Sequence, residues 1–264
     1  MSTKVVVSGT GKMGRQVLEA VCAEPDLEPV GIVDYIAGEE YLPLPDGSGL
    51  APYSTDPAAL FTRTRPDVVI DFTNAERTPQ VAREALEVGA RLVIGTSGLS
   101  DAFLKELGRE CRQRKLGAVV AANFAVGAVL MTHLAKVAAR FFDHVEIIEM
   151  HHDGKADAPS GTAIATARKM ADAREAPFRR PKTQREALEG TRGGAVDGIT
   201  IHSVRLPGLV AHQEVVFGGP GQTLTIRHDS TSRESFMPGV MLAIRDVMGC
   251  EELVLGLEAL LGIE

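Results

Sequence analysis

Short runs of apolar residues alternate with amphipathic segments through the first half of the chain. Five runs have the near-continuous apolar character of buried strands: Lys4–Ser8, Pro29–Val33, Asp67–Phe72, Arg91–Ile94 and Ala118–Ala122. Between them, apolar residues recur at helical spacing in about Gly11–Ala23, Thr78–Val88 and Asp101–Arg114. Strands separated by helices predict a parallel sheet that is covered on both faces. Residues 35–56, which are rich in proline and glycine, predict a loop or an irregular crossover.

The pattern changes in the second half of the chain. A helix over about Val126–Phe142, a strand over Val145–Met150 and a helix over about Thr162–Arg174 precede an irregular basic stretch, 176–195. Three closely spaced strand patterns follow, Ile199–Arg205, Gln213–Gly218 and Gln222–His228, and predict a mostly antiparallel sheet. Ser235 to about Met248 and Glu251–Leu261 return to helical spacing. The chain is therefore predicted to form one domain from residues 1–122, with 240–264 returning to it, and a smaller α+β domain from 123–239.

Composition narrows the function classes. The 264 residues carry a net charge of −7, which argues against nucleic acid or an anionic membrane as a partner. Cys22, Cys111 and Cys250 are odd in number and far apart, which argues against a disulfide framework and a thiolate zinc site. No targeting or membrane-spanning pattern is found, so we expect a cytoplasmic protein. We expect no bound metal, because the cysteines form no ligand pair and the adjacent His151 and His152 point to opposite faces of a strand.

The first strand is followed directly by a glycine-rich turn, GTGKMG at residues 9–14, that opens a helix. Gly9 permits the tight turn, Gly11 lets a pyrophosphate approach the backbone, and Gly14 lets helix and strand pack closely. Asp34 ends the second strand, where an acid can bind a ribose 2′-hydroxyl group. Together these features predict a Rossmann-type dinucleotide-binding domain. Because Asp34 repels a 2′-phosphate and Tyr35 follows it, the sequence favours NADH, although Lys12 either reaches a phosphate or is simply solvated.

The densest group of chemically capable side chains is EMHHDGKADAPSGTA at residues 149–163. The strand before it delivers His151 and His152 to its carboxyl end, and Lys155 follows in a short loop. Ser160 stands at a helix N-cap position, so the N–H groups of Gly161 and Thr162 can bind a carboxylate. Histidine and lysine can donate protons. The cluster predicts a carboxylate-bearing substrate that is reduced by hydride transfer, with His151 or Lys155 as the acid.

The sequence of this cluster resembles that of the bacterial dihydrodipicolinate reductase family, also called 4-hydroxy-tetrahydrodipicolinate reductases, of the diaminopimelate route to lysine. Every fixed position of the family pattern E-x-H-H-x-x-K-x-D-x-P-S-G-T-A is matched at 149–163. Further matches are DFT at 71–73, GTSG at 95–98, AANF at 121–124, IHSVRLPG at 201–208 and SR at 232–233. The resemblance spans nearly the whole chain.

The resemblance implies an NAD(P)H-dependent oxidoreductase that reduces 4-hydroxy-tetrahydrodipicolinate, a small dicarboxylate, to tetrahydrodipicolinate. It implies His151 as catalytic acid and Lys155 as second proton donor. The implied substrate-binding residues are His152, Ser160, Gly161, Thr162 and Arg233, the last of which can equally be a surface arginine. The implied cofactor-binding residues are Gly9, Thr10, Gly11, Lys12, Met13, Gly14, Asp34, Phe72, Thr73, Gly95, Thr96, Ser97, Ala121, Ala122, Asn123 and Phe124. It also implies a homotetramer assembled through the sheet of the second, substrate-binding domain.

The chain departs from the family pattern in two places. Many members have G-x-x-G-x-x-G in the glycine turn and an arginine where Tyr35 stands, so NADPH use is not implied. Two other functions remain open from the residues: another two-domain nicotinamide-dependent amino-acid dehydrogenase, and a non-catalytic sensor of NAD(H).

Overall fold

A computed structural model describes residues 2–36 and 38–263. The strands are β1 (Thr3–Ser8), β2 (Leu27–Val33), β3 (Tyr41–Pro43), β4 (Leu50–Ser54), β5 (Val68–Asp71), β6 (Arg91–Ile94), β7 (Ala118–Val120), β8 (His144–His151), β9 (Gly194–Val196), β10 (Ile199–Arg205), β11 (Ala211–Gly219), β12 (Gln222–Ser230) and β13 (Leu253–Leu255). The helices are α1 (Lys12–Ala23), α2 (Pro57–Thr64), α3 (Thr78–Glu87), α4 (Asp101–Arg114), α5 (Val126–Ala138), α6 (Gly161–Asp172), α7 (Met237–Val247) and α8 (Glu258–Leu261). A 3₁₀ helix covers Arg233–Phe236.

The chain divides into two compact units. The first comprises Met1–Val126 with Arg233–Glu264, and the second comprises Gly127–Ser232. The sheet of the first unit has the strand order β13-β7-β6-β5-β1-β2-β4-β3. All its pairings are parallel except that of β3 with β4. This is the predicted Rossmann-type architecture.

The core of the first unit forms because its central strands are apolar on both faces. Val5, Val6 and Val7 of β1 are all buried, as expected for a strand that helices cover on both sides. Buried residues of α2, α3 and α4 join one core cluster with β1, β5 and β6, while α1 and α7 contact each other and the sheet. A parallel sheet covered in this way leaves its carboxyl edge, where the loops meet, for ligands.

The sheet of the second unit is mixed and has the order β12-β11-β8-β10-β9. Only β8 and β10 pair in parallel, and the other three pairings are antiparallel, as the close spacing of the strands predicted. Alternate residues of β8, among them Val145 and Ile147, pack into a core with α5 and α6. The residues between them, such as Ile148 and Met150, lie on the other face and remain partly exposed.

Three parts of the sequence-based prediction were wrong or incomplete. The stretch 35–56 was predicted as a loop but contains the short strands β3 and β4, of which β3 forms the edge of the sheet. Helix α2 was not predicted, although Asp56 caps it by accepting a hydrogen bond from the Ala59 N–H and Pro57 occupies its first turn. Residues 251–261 were predicted as one helix, but they form β13, a turn at Gly256 with φ of +84°, and the four-residue α8.

Candidate active site

The glycine turn between β1 and α1 has a backbone that favours glycine at two positions. Gly9 has φ of +101°, a conformation that side chains rarely adopt. A Cβ at Gly14 would lie 1.8 Å from the carbonyl oxygen of Gly9, so only glycine fits there. A Cβ at Gly11 would meet nothing within 4 Å, which leaves open space beside the first backbone turn of α1. This geometry fits a turn that a phosphate group approaches.

Asp34 follows β2 and is only 5% exposed. Its Oδ2 atom accepts hydrogen bonds from the Thr10 N–H and the Thr10 hydroxyl, both at 2.5 Å. Its buried Oδ1 atom has no hydrogen-bond partner in the described part of the chain. A buried oxygen without a partner is costly, so a ligand hydroxyl that donates to it is favoured. Thr10, predicted as a cofactor residue, therefore holds the acid in place.

The predicted nicotinamide-side residues follow β5, β6 and β7, which are neighbours in the sheet. A Cβ at Gly95 would lie 2.1 Å from the Phe72 ring, and the rings of Phe72 and Phe124 are 5.7 Å apart. Phe124 is 1% exposed, so its buried ring packs beneath the loops at this edge of the sheet. Gly95 is thus required by packing, in addition to any contact with a ligand.

The remaining predicted cofactor residues are placed as follows. Lys12 begins α1 and is exposed, as are Ser97, Ala122 and Gly11, while Met13 and Thr73 are half-buried. Ala121 is buried and its N–H donates to the Ile94 carbonyl. The side chain of Asn123 accepts a hydrogen bond from the Ala125 N–H.

A fully buried carboxylate at the end of β5, Asp71, joins two of these loops. Its oxygens accept hydrogen bonds from three threonine hydroxyls: Thr73 at 2.9 Å, Thr78 at 2.5 Å and Thr96 at 3.0 Å. Thr73 and Thr96 belong to the predicted cofactor set. Sequence reasoning gave Asp71 no role, although an acid ending an apolar strand is a usable signal because buried acids are rare unless they are paired.

In the second unit, His151 is the last residue of β8, and a buried carboxylate holds its imidazole in place. Its Nδ1 atom lies 2.6 Å from Oε2 of Glu149, two residues earlier on the same strand and on the same face. Glu149 is 0% exposed and also accepts hydrogen bonds from two Arg205 nitrogens, at 2.9 and 3.0 Å. Because Nδ1 donates to the carboxylate, the other ring nitrogen, Nε2, is left to exchange a proton.

The electrostatics of this group follow from burial and from Arg205. Burial raises the pKa of Glu149, but hydrogen bonds from Arg205, Ser203 and His151 outweigh it, and the pKa lies below its ordinary value. Burial lowers the pKa of His151, and the Glu149 hydrogen bond only partly offsets this. Glu149 is therefore a carboxylate at neutral pH, and the His151 imidazolium is a stronger acid than a free one.

The loop after β8 carries His152 and Lys155. The Lys155 ammonium donates to an Asp157 carboxylate oxygen at 2.6 Å, and this hydrogen bond lowers the pKa of Asp157. Arg205 also donates to the backbone oxygen of Asp157, at 2.6 Å, which ties the loop to β10. His152 is exposed. Because Asp157 is exposed as well, a ligand carboxylate can displace it from Lys155 at little cost.

Helix α6 begins beside Glu149. Ser160 caps it by accepting a hydrogen bond from the Ala163 N–H at 3.2 Å, and its own N–H donates to Glu149 at 3.2 Å. A Cβ at Gly161 would meet nothing within 4 Å, so the first turn is open to a ligand. The first N–H groups of a helix have no intrahelical acceptor and can bind an anion. Ser160 therefore shapes this end, while Gly161 and Thr162 present the donors.

The structure brings His151, Lys155 and the start of α6 together through Glu149 and Arg205, which sequence reasoning did not select. Glu149 could have been found from the two-residue period of a strand, which puts it on the same face as His151. Arg205 could not, because its place opposite His151 depends on the register of β10 with β8. Arg233 lies in the 3₁₀ helix of the first unit and is exposed.

Within residues 2–36 and 38–263, no helix combines the length and the apolar character that crossing a membrane requires. Nor do these residues contain a cluster of three or more His, Cys, Asp or Glu side chains arranged to hold a metal ion.

Comparison with known proteins gives matches over nearly the whole chain. Two family models match: "Dihydrodipicolinate reductase, N-terminus" at residues 3–124 and "Dihydrodipicolinate reductase, C-terminus" at residues 127–261. A 4-hydroxy-tetrahydrodipicolinate reductase of Dehalococcoides mccartyi is 49% identical over 259 residues, 98% of each chain. The same-named protein of Geobacillus thermodenitrificans is 48% identical over 264 residues, covering 99% of this chain and 100% of that one.

Two solved structures are similar to this chain, one in both sequence and fold and the other in fold alone. Dipicolinate-bound dihydrodipicolinate reductase from Paenisporosarcina sp. TG-14 has a TM-score of 0.88 at 43% identity, covering 98% of this chain and 99% of that one. An amine dehydrogenase from Mycobacterium smegmatis has a TM-score of 0.65 at 16% identity, covering 95% and 93%. The second likeness shows the fold alone, so the fold does not distinguish between these activities.

Proposed function

The chain belongs to the dihydrodipicolinate reductase family, and on that premise we propose that it reduces 4-hydroxy-tetrahydrodipicolinate to tetrahydrodipicolinate with NAD(P)H. This is a step of the diaminopimelate route to lysine. The substrate loses its 4-hydroxyl group as water and gains a hydride and a proton. The observation that carries the proposal is the buried Glu149 carboxylate, which holds the imidazole of His151 beside the open start of α6.

The cofactor-binding role of the first unit rests on its carboxyl edge. The open space at Gly11 and the unpartnered Oδ1 atom of Asp34 fit a pyrophosphate and a ribose hydroxyl group. When bound, the nicotinamide supplies the hydride. Asp34 and Tyr35 favour NADH, because a carboxylate beside the ribose repels a 2′-phosphate.

The proton-donating role belongs to His151, with Lys155 as second donor. Glu149 fixes the ring orientation and leaves Nε2 to deliver the proton, and burial makes the imidazolium acidic enough to release it. Transfer from such a positioned acid is typically worth about 10²–10⁴-fold in rate. Lys155 then neutralises negative charge once the substrate has displaced Asp157.

Binding of the two substrate carboxylates is assigned to the N–H groups of Gly161 and Thr162, the ammonium of Lys155 and the ring of His152. Ser160 acts indirectly as the N-cap of α6. Arg233 is assigned to the substrate on family resemblance, and its exposed position is compatible with that. A helix start with a nearby cation is a general arrangement for binding carboxylates.

We also propose a homotetramer that assembles through the second-unit sheet. One face of that sheet packs on α5 and α6, whereas Ile148, Met150, Val204 and Val216 lie partly exposed on the other. A partly apolar sheet face without helices is the kind of surface that association covers. The three cysteines are free, which is in keeping with the cytoplasmic location that we propose.

The direct test is a coupled assay in which the aldolase product is made from pyruvate and aspartate semialdehyde, with NADH and NADPH compared side by side. We expect oxidation of the reduced nicotinamide only when both the aldolase product and the enzyme are present. Reduction of a keto acid with ammonia instead would favour the amino-acid dehydrogenase alternative. Tight NADH binding without turnover would favour the sensor alternative.

A further inference from the structure

An arginine that no sequence motif singled out lies at the adenosine end of the predicted cofactor site. Tyr35 directly follows Asp34 and is 58% exposed. Arg77 immediately precedes α3, and its guanidinium carbon lies 5.5 Å from the centroid of the Tyr35 ring. This is a cation–π contact, which holds a planar guanidinium at a defined place.

The topology explains how the two side chains meet. Strand β1 lies between β5 and β2 in the sheet, so the glycine turn after β1 is flanked by the chain that follows each neighbour. Arg77 comes from the β5 side and Tyr35 from the β2 side. Arg77 therefore reaches to the residue next to Asp34, whose unpartnered Oδ1 atom is the expected acceptor for a ribose hydroxyl group.

The positive charge of Arg77 is not neutralised by a neighbouring carboxylate in the described residues. In residues 2–36 and 38–263, no carboxylate forms an ion pair with its guanidinium, in contrast to Arg114, Arg174, Arg205 and Arg245. The hydrogen bonds of Arg77 with the Asn74 side chain and backbone are made by its backbone N–H. Its five side-chain donors are thus available to a ligand anion, and a guanidinium suits the geometry of phosphate oxygens.

We propose that Arg77, held against Tyr35, binds the 2′-phosphate of NADPH and thereby sets how strongly this chain discriminates between NADPH and NADH. The inference rests on the proposed function. Asp34 alone repels the phosphate, and Tyr35 contributes no positive charge of its own. Arg77 supplies the missing cation from a different element of the fold and offsets the repulsion.

The test compares the dissociation constants of NADH and NADPH by isothermal titration calorimetry, because these ligands differ only in the 2′-phosphate. The variants are Arg77→Ala and, as a matched control, Arg83→Ala, which removes the same charge from an exposed position of α3. We expect Arg77→Ala to weaken NADPH binding about fivefold relative to NADH binding, the size of a good exposed ion pair. The control should keep the wild-type ratio of the two constants.

Each other outcome has a definite meaning. An unchanged ratio in Arg77→Ala overturns the inference. An equal loss for both cofactors overturns it too, because it assigns Arg77 to stacking on the adenine ring that the two share. If the wild-type protein binds neither cofactor, the proposed function fails as well. Binding of both by the wild type with no effect of Arg77→Ala removes only the inference.

Discussion

Replacing Glu149 by glutamine removes one negative charge from beneath His151, the proposed catalytic acid, while nearly preserving the shape of the side chain. Glu149 is 0% exposed and accepts hydrogen bonds from Arg205, the Ser160 N–H and His151. Each oxygen of Glu149 accepts from one Arg205 nitrogen; Oε1 also accepts from the Ser160 N–H and Oε2 from the His151 imidazole. An amide has one acceptor oxygen, so its NH₂ group must face the guanidinium together with either Ser160 or His151. The substitution therefore opposes two of these donors with another donor.

The cost can be worked from the burial of the group. Removing one partner of a buried ion pair costs about 3–5 kcal/mol of stability. The side chain of Arg205 is 19% exposed and the amide keeps one acceptor, so we expect a loss of about 3 kcal/mol in the free energy of unfolding, at the lower end of this range. Activity should fall further, because His151 loses the group that orients its ring, and we expect kcat to drop about 100-fold.

The assay is kcat as a function of pH, together with urea unfolding followed by circular dichroism. Burial already lowers the pKa of His151 and Glu149 partly restores it, so loss of the carboxylate lowers this pKa further. The limb of the pH profile that reports protonated His151 should move to lower pH. A merely structural role would lower stability without moving that limb.

The matched control is Glu146→Gln, on the same strand but the opposite face. Glu146 also accepts a hydrogen bond from a histidine, with 2.7 Å between its Oε2 atom and Nε2 of His202. Its side chain pairs with His202 and Arg192 on the sheet face away from α6 and His151, so we expect kcat within about twofold of wild type. If Glu149→Gln keeps its kcat within threefold and its pH profile unchanged, the positioning of His151 by this carboxylate is refuted.

Three further predictions can be checked with purified variants. His151→Gln should lower kcat by about 10²–10⁴-fold with little change in KM, measured in the coupled assay, and wild-type turnover would contradict the acid role. Asp71→Ala should lower the Tm and weaken NADH binding, because it removes the buried acceptor that three threonine hydroxyls share, whereas Asp67→Ala at the other end of β5 should do much less. Gly95→Ala should destabilise the protein by about 1–3 kcal/mol, since the new methyl group overlaps the Phe72 ring; Gly11→Ala should leave the Tm unchanged but weaken dinucleotide binding. Equal Tm values for the two glycine variants would contradict that separation.

The central sheet of the first unit could be predicted from sequence because its strands are buried on both faces and appear as continuous apolar runs. The short strands toward its two edges could not be predicted in this way. Strands β3 and β4 are short, contain Pro43 and Pro52, and are only partly buried, so they lack the apolar signal of a central strand. Strand β13 has three residues, and the apolar residues that flank it imitate helical spacing.

The candidate site was predicted where its residues are consecutive and missed where they meet through pairing of distant segments. The motif at 149–163 identified His151, Lys155 and the start of α6 as parts of the candidate site. Arg205 comes 54 residues after His151 in sequence and reaches Glu149 only because β10 pairs with β8. Arg77 likewise meets Tyr35 through the order of three strands. Such contacts depend on register, which a single sequence does not specify.

The most direct measurement of the central claim is the transfer of isotope from the cofactor to the product. NADH deuterated at the transferable position of the nicotinamide is supplied with the freshly made aldolase product, and the product is analysed by mass spectrometry. The account predicts tetrahydrodipicolinate that carries the deuterium with the wild-type protein, and very little of it with His151→Gln. Binding of the labelled cofactor without deuterium in the product would contradict the account.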